Sequence, residues 1–279
     1  SITHFRKVAM IDLKFSNANT KLKKLYEVDA LSTWLSDKRK VYSFDLLSGH
    51  SCPFASECLS KAVQVDGKRK IQDGKDAKFR CFSASQEVVY TNTYKRRKVN
   101  FENLRHLETS QHMANAIQSV MPKNAGIVRI HVAGDFFNFK YLLAWIKTAE
   151  RNPDTLFYAY TKSLVFWIRA MESLGIPSNL VMTASRGGRL DDLITNHQLR
   201  ESVVVFSEKE AEEKNLVIDY DDSHAARPDL SGDSFALLIH GVQKKGSEAA
   251  NALKIIKSEA QFLVLILLYP MIASFFDEG

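Results

Sequence analysis

All three cysteines of this 279-residue chain, Cys52, Cys58 and Cys81, fall within one short stretch. They follow a strand-like run, Val41–Leu47, that breaks at Ser48-Gly49. Five residues separate the first two and 22 separate the second from the third. Cysteines that merely fill a core scatter along a chain, whereas a set this close, directly after a strand, reads as a ligand set on a loop. An odd count makes no disulfide framework and suits a reducing compartment with thiolates bound to metal. Zinc sites usually space their first pair two to four residues apart and supply four ligands, so a zinc reading needs a Cys3His site completed by His50. A four-iron cluster (4Fe-4S) tolerates wider spacing, because loops can wrap a cube of irons. It would leave one iron open to another ligand. Unligated thiols that happen to cluster are the third reading.

The elements that must position such a site alternate. After Gly126, apolar runs at Ile127–Ala133, Leu156–Thr161, Leu180–Ala184, Val203–Phe206 and Phe235–His240 read as strands. Between and after them, Asn138–Arg151, Leu164–Leu174, Asp191–Leu199, Lys209–Lys214 and Ser247–Glu259 read as helices or helical turns. This alternation predicts βαβ units and an α/β fold. With the strand at Val41–Leu47 there are five or six units, which suggests an open, partial β/α barrel of mainly parallel strands, its Cys-rich loop after the first core strand. The strands end in polar residues: Gly134-Asp135, Thr161-Lys162-Ser163, Ser185-Arg186, Ser207-Glu208 and His240-Gly241. Ligands in parallel folds sit at carboxyl ends of strands, so Asp135, Lys162, Arg186 and His240 are expected to face one cleft with the cysteines. Ser163, Ser185 and Ser207 equally suit helix N-caps.

The chain reads as a single domain: an N-terminal extension (1–40), a cluster-binding part (41–125), βα repeats (126–260) and a hydrophobic C-terminal segment (261–279). Phe5, Val8, Met10, Ile11 and Leu13 are the apolar anchors of the extension, and Ala30–Leu35 reads as a short helix. Lys61–Lys78, with Asp66-Gly67 and Asp73-Gly74, reads as an exposed hairpin. Cys81–Lys98 could begin a helix, and Phe101–Met121 reads as one continuous helix. The net charge of +6 permits nucleic acid as a partner without demanding it. Lys95-Arg96-Arg97-Lys98, beside Tyr90 and Tyr94, could grip phosphates or form a solvated helix face. Asp219–His224 reads as an exposed acidic loop, or else a carboxylate site for a hard cation. Phe262–Phe276 is almost wholly apolar but interrupted by Pro270 and shorter than the ~20 residues of a membrane span. It reads as a buried strand plus a turn, or as a subunit contact of a homo-oligomer, not a membrane anchor. The polar, basic N-terminus has no signal-peptide character. Phosphate-loop, nucleophile-elbow and His-Glu-x-x-His motifs are absent from the sequence.

A strand, a three-cysteine loop and a run of βα units resemble the partial barrel of radical S-adenosylmethionine enzymes. The resemblance implies a four-iron cluster on the three cysteines and S-adenosylmethionine on the open iron. It further implies that Gly134 and Asp135 take the amino group of that ligand, and that Thr161, Lys162, Ser163, Ser185 and Arg186 take its ribose and carboxylate. The cysteines of those enzymes stand closer together, with an aromatic residue before the last. The segments SGHSCPFASEC, FRCFSASQE, VRIHVAGDFFNFKYLLAWIKTAERNP, FYAYTKS and LLIHGVQKKGSEA resemble, in combination, gene-product-88-like phage proteins. That likeness implies a virus-encoded protein of bacterial host cytoplasm and brings no reaction with it. Two function classes follow: an iron–sulfur enzyme of unknown reaction, or a non-enzymatic iron–sulfur or zinc protein that binds a host protein or nucleic acid.

Overall fold

The strands from residue 125 onward carry apolar side chains on both faces, as buried parallel strands do. The computed structural model describes residues 11–276, with side chains described to residue 264. Phe5, Val8 and Met10 lie outside them. The chain opens with β1 (Ser16–Asn17), α1 (Thr20–Lys23) and two 3-10 turns, Lys24–Glu27 and Asp29–Leu35. Next come β2 (Lys40–Phe44), a hairpin of β3 (Ser60–Val65) and β4 (Lys68–Asp73), and the helices α2 (Phe82–Val89), α3 (Thr91–Arg105) and α4 (Ser110–Val120). The repeating part is β5 (Ala125–Ile130), α5 (Phe139–Arg151), β6 (Leu156–Thr161), α6 (Leu164–Ser173), β7 (Leu180–Ser185), α7 (Asp192–Asn196), β8 (Glu201–Val205) and α8 (Glu208–Glu213). It closes with α9 (Ser223–Ala226), β9 (Phe235–Leu238) and α10 (Glu248–Phe276).

Among the described residues, seven strands form one sheet in the order β1-β2-β5-β6-β7-β8-β9. Every pairing is parallel except that of the edge strand β1. The order therefore follows the sequence, without the reversal of a doubly wound sheet. One face, carrying Phe44, Val128, Ile130, Phe157 and Met182, packs on apolar residues of α3 to α7 such as Phe101, Met113, Trp145, Trp167 and Ile194. The other face, carrying Val41, Ile127, Tyr158, Val181 and Phe235, is covered by Leu22, Leu25 and Leu31 and by Ala225 and Ala226 of α9. The sheet curls toward this second face. A flat sheet would hold β6 and β9, three strands apart, about 14 Å from each other. The rings of Tyr160 and Phe235 nevertheless meet, with centroids 6.1 Å apart.

Several expectations are corrected. The first core strand ends at Phe44 rather than Leu47. The helix expected over Phe101–Met121 is two helices, because Thr109 starts α4 afresh by accepting the His112 N–H at 3.1 Å. Phe262–Phe276 continues α10, not a strand and turn, and its first residues Phe262, Leu263 and Val264 are exposed. No helix among the described residues is long and apolar enough to cross a membrane. The hairpin is as expected: Asp66 (φ 51°) and Gly67 (φ 74°) supply the two left-handed residues that a tight turn of this hand requires.

Candidate metal centre

The loop after β2 is held down at four places. The Ser48 N–H and hydroxyl both donate to the buried Glu87, at 3.0 and 2.8 Å, and Glu87 also pairs with Arg97 at 3.1 Å. Burial pushes the Glu87 carboxyl up while Arg97 and Ser48 pull it down. The Glu57 N–H donates to the Gly187 carbonyl (2.9 Å) and the Arg189 N–H to the Phe54 carbonyl (2.9 Å), forming an antiparallel bridge between the cysteine loop and the turn after β7. Asp191 braces that turn by accepting the Gly187 and Gly188 N–H groups. Gly134, with φ +94°, lets the end of β5 approach: an added Cβ would stand 2.6 Å from Ser51 Oγ and 2.7 Å from Leu46 Cβ. The Lys78 and Phe79 N–H groups return to the Glu57 carbonyl, which brings the chain back to Cys81.

Cys52, Cys58 and Cys81 are free, part-buried thiols, and their segments meet at Ser60: an added Cβ on Gly49 would collide with the Ser60 carbonyl oxygen, and the Ser60 hydroxyl accepts the Cys81 N–H at 3.4 Å. Burial pushes the Cys52 thiol up, and Asp135, Cys81 and Cys58 add to that in turn. The Gly49 N–H donates to Cys52 Sγ at 3.3 Å and opposes the shift. Cys81 occupies the N-cap of α2 without closing a full cap hydrogen bond. Burial and then Cys58 raise its pKa, while the Ala84 and Ser83 N–H groups lower it. Backbone donors and a helix N-terminus are what favour thiolate over thiol. No three His, Cys, Asp or Glu side chains among the described residues are grouped to hold a single metal ion. His50 directs Nε2 to the Ala62 carbonyl at 3.0 Å.

Asp135, Lys162, Ser185 and Arg186 lie against one another, and most of their polar groups are satisfied within the protein. The Asp135 carboxylate accepts the Thr161 hydroxyl (2.6 Å), the Phe136 N–H (2.7 Å) and the Lys162 N–H (2.8 Å). Burial pushes its carboxyl up to about 6 against the pull of those donors. Lys162 Nζ donates to the Ser185 hydroxyl and to the Ser185 and Arg186 carbonyls. Arg186 pairs with Glu201. Ser163 occupies the N-cap of α6 but turns its hydroxyl to the Phe136 carbonyl, Ser185 ends a strand, and Ser207 caps α8 by accepting the Glu210 N–H. His240 lies against Phe82, the neighbour of Cys81, with ring centroids 5.0 Å apart. Burial, Lys21 and Arg129 hold His240 below the usual histidine pKa.

The acidic loop is corrected. Asp219 and Asp222 are buried, not exposed. Asp222 accepts from Arg129 (2.6 Å) and the Tyr158 hydroxyl (2.9 Å) and pairs with Lys21 (2.7 Å), so one buried carboxylate holds two cations on the second face of the sheet. The basic run divides too: Arg97 is buried on Glu87 and Tyr94 lies under Arg69, while Lys95 faces solvent. Sequence reasoning missed Asp45, which accepts the Val132 N–H at 2.7 Å, and Glu87. Only a lone acidic residue among the buried positions of α2 hints at the second.

No curated protein and no solved structure matches the chain. The family model described as gene product 88 matches residues 13–258, which include the three cysteines, the loops that hold them and all the core strands. On that match the chain belongs to the gene product 88 family of phage gene products.

Proposed function

We propose that this is an iron–sulfur protein in which Cys52, Cys58 and Cys81 hold a four-iron cluster at the carboxyl end of an open, partial β/α barrel. The observation that carries the reading is that close contacts tie the three cysteine segments together: Gly49, whose N–H meets Cys52 Sγ, packs on Ser60, two residues from Cys58, and Ser60 Oγ accepts the Cys81 N–H. The sequential strand order, the crossover helices α5, α6 and α7 on one face and the Tyr160–Phe235 contact across the other support the barrel. The donor set fits the group. In a cluster each thiolate binds a different iron, so three cysteines suffice, whereas a single zinc usually takes four donors around one point. The Gly49 N–H on Cys52 Sγ and the α2 N-terminus beside Cys81 lower the cost of thiolate at these two cysteines. Glu87, Arg97 and Ser48 hold the base of the loop, and the bridge at Ala55 and Gly188 holds its tip.

Bound there, such a cluster supplies one-electron transfer and a coordination position at the iron without a cysteine. The groups that the resemblance assigned to S-adenosylmethionine are turned inward: Asp135 to Thr161 and two N–H groups, Lys162 to Ser185, Arg186 to Glu201. The reading therefore rests on the cluster and not on that cosubstrate.

The test is anaerobic purification followed by reconstitution with iron and sulfide. Brown protein with broad visible absorption and about four irons per chain is expected. Changing Cys52, Cys58 or Cys81 to Ser should abolish the colour. Colourless wild-type protein after reconstitution overturns the reading. S-adenosylmethionine added to the reduced protein leaves its electron paramagnetic resonance signal unchanged if those inward-turned side chains are structural.

A further inference from the structure

On the second face of the sheet, three polar side chains lie near Phe235. Tyr160 meets that ring edge-on with centroids 6.1 Å apart, and the Arg200 guanidinium lies 5.5 Å over it. Ser202 is the register partner of Phe235 between β8 and β9. Tyr160 Oη, Arg200 Nε and Ser202 Oγ are shut off from solvent and have no hydrogen-bond partner. Each has a hydrogen to donate.

Arg200 is a second, independent sign. It is 5% exposed, yet no carboxylate among the described residues pairs with it. Its terminal nitrogens donate to Thr183 and to the carbonyls of His224, Ala225 and Leu230. Burial pulls its pKa down, with Tyr160, Asp219 and Asp233 opposing. Native proteins rarely bury a charge without a counter-charge or a donor without an acceptor, because both are costly. A group that would answer such donors is negatively charged and rich in acceptors.

We propose that Arg200, Tyr160 and Ser202 form a binding site for a small oxyanion, the carboxylate or phosphate group of a metabolite, seated against Phe235. The segment holding His224, Ala225 and Leu230 is its cover, since Arg200 donates to those three carbonyls; the ligand enters when that cover lifts. The site needs neither the cysteines nor a metal, so it goes beyond the function proposed above and stands or falls separately.

The test is thermal unfolding of the full chain, titrated with inorganic phosphate or with acetate, chloride keeping the ionic strength constant. A saturable rise of roughly 5 °C is expected at a hundredfold excess over Kd. A rise with phosphate alone identifies a phosphate group, and a rise with acetate alone a carboxylate. Tyr160→Phe and Ser202→Ala each remove a hydroxyl without a partner, so both should fold and both should weaken binding about tenfold or more. No saturable rise with either anion, or an unchanged affinity in both variants, overturns the proposal. So does a high-resolution crystal structure from phosphate and acetate that shows only water among the three donors.

Discussion

Removing the Asp222 carboxylate should be among the most damaging single changes on the concave face. Asp222 is wholly buried and receives Arg129, Lys21 and Tyr158 at 2.6–2.9 Å. Asp222→Ala leaves two cations facing an empty space, and breaking a buried pair in this way costs about 3–5 kcal/mol. The residue also has φ 64°, a left-handed conformation that Asp and Asn tolerate better than Ala, which adds roughly 1 kcal/mol. Asp222→Asn keeps the shape and one acceptor and loses the charge, so about 2 kcal/mol is expected. The pH dependence has a definite sign. Arg129 and Lys21 outweigh burial and hold the carboxyl at about 2, against 3.8 for a free aspartate. A depressed carboxyl stabilises the fold above the unfolded value and loses that stabilisation as pH falls from about 4 toward 2, here about 2 kcal/mol. Urea unfolding at pH 7 and across pH 5 to 2 measures both. If the Ala and Asn variants cost the same, and less than 1 kcal/mol, the buried cluster does not stabilise the fold as argued.

Asp135 carries the opposite sign: its carboxyl, pushed by burial to about 6, penalises folding as pH rises from about 4 through 6, by about 3 kcal/mol. Asp135→Asn should flatten the pH dependence of the urea midpoint in that window, and an unaltered slope would refute the assignment. Gly134→Ala should cost about 3 kcal/mol, since its Cβ meets Leu46 Cβ at 2.7 Å and its φ is +94°. Gly187→Ala, whose added Cβ meets Glu57 Oε2 at 2.9 Å and Glu57 Cβ at 3.2 Å, should cost less, about 2 kcal/mol, because the Glu57 carboxylate can swing aside, and thermal melts showing the reverse order would sink the packing argument. Glu87→Gln leaves Arg97 buried without a counter-charge and should cost about 3 kcal/mol in urea, with a loss under 1 kcal/mol counting against it.

By itself the sequence determined the local elements and the grouping of the cysteines. Leu156–Thr161 is a strand with the bounds its apolar run implied, and Asn138 starts α5 by accepting the Tyr141 N–H, because both signals lie within a few residues of each other. Strand alternation also sufficed for a parallel sheet with Asp135, Lys162 and Arg186 at one end. A helix boundary set by a single cap, as at Thr109, was hidden under a continuing apolar period. In the C-terminal run an apolar stretch without polar alternation reads equally as strand or helix. What only the tertiary structure decided was the fate of the polar groups. Asp222 sits in a stretch that reads as solvated, yet Arg129 lies 93 positions away and Tyr158 lies 64 away, and only the folded sheet turns a loop carboxylate into a buried counter-ion. In the same way Asp135 looked free to meet a ligand until Thr161, 26 positions on, was placed against it. Periodicity is a property of neighbours in the chain, whereas the pairing of charges and donors belongs to neighbours in space, which long-range packing creates.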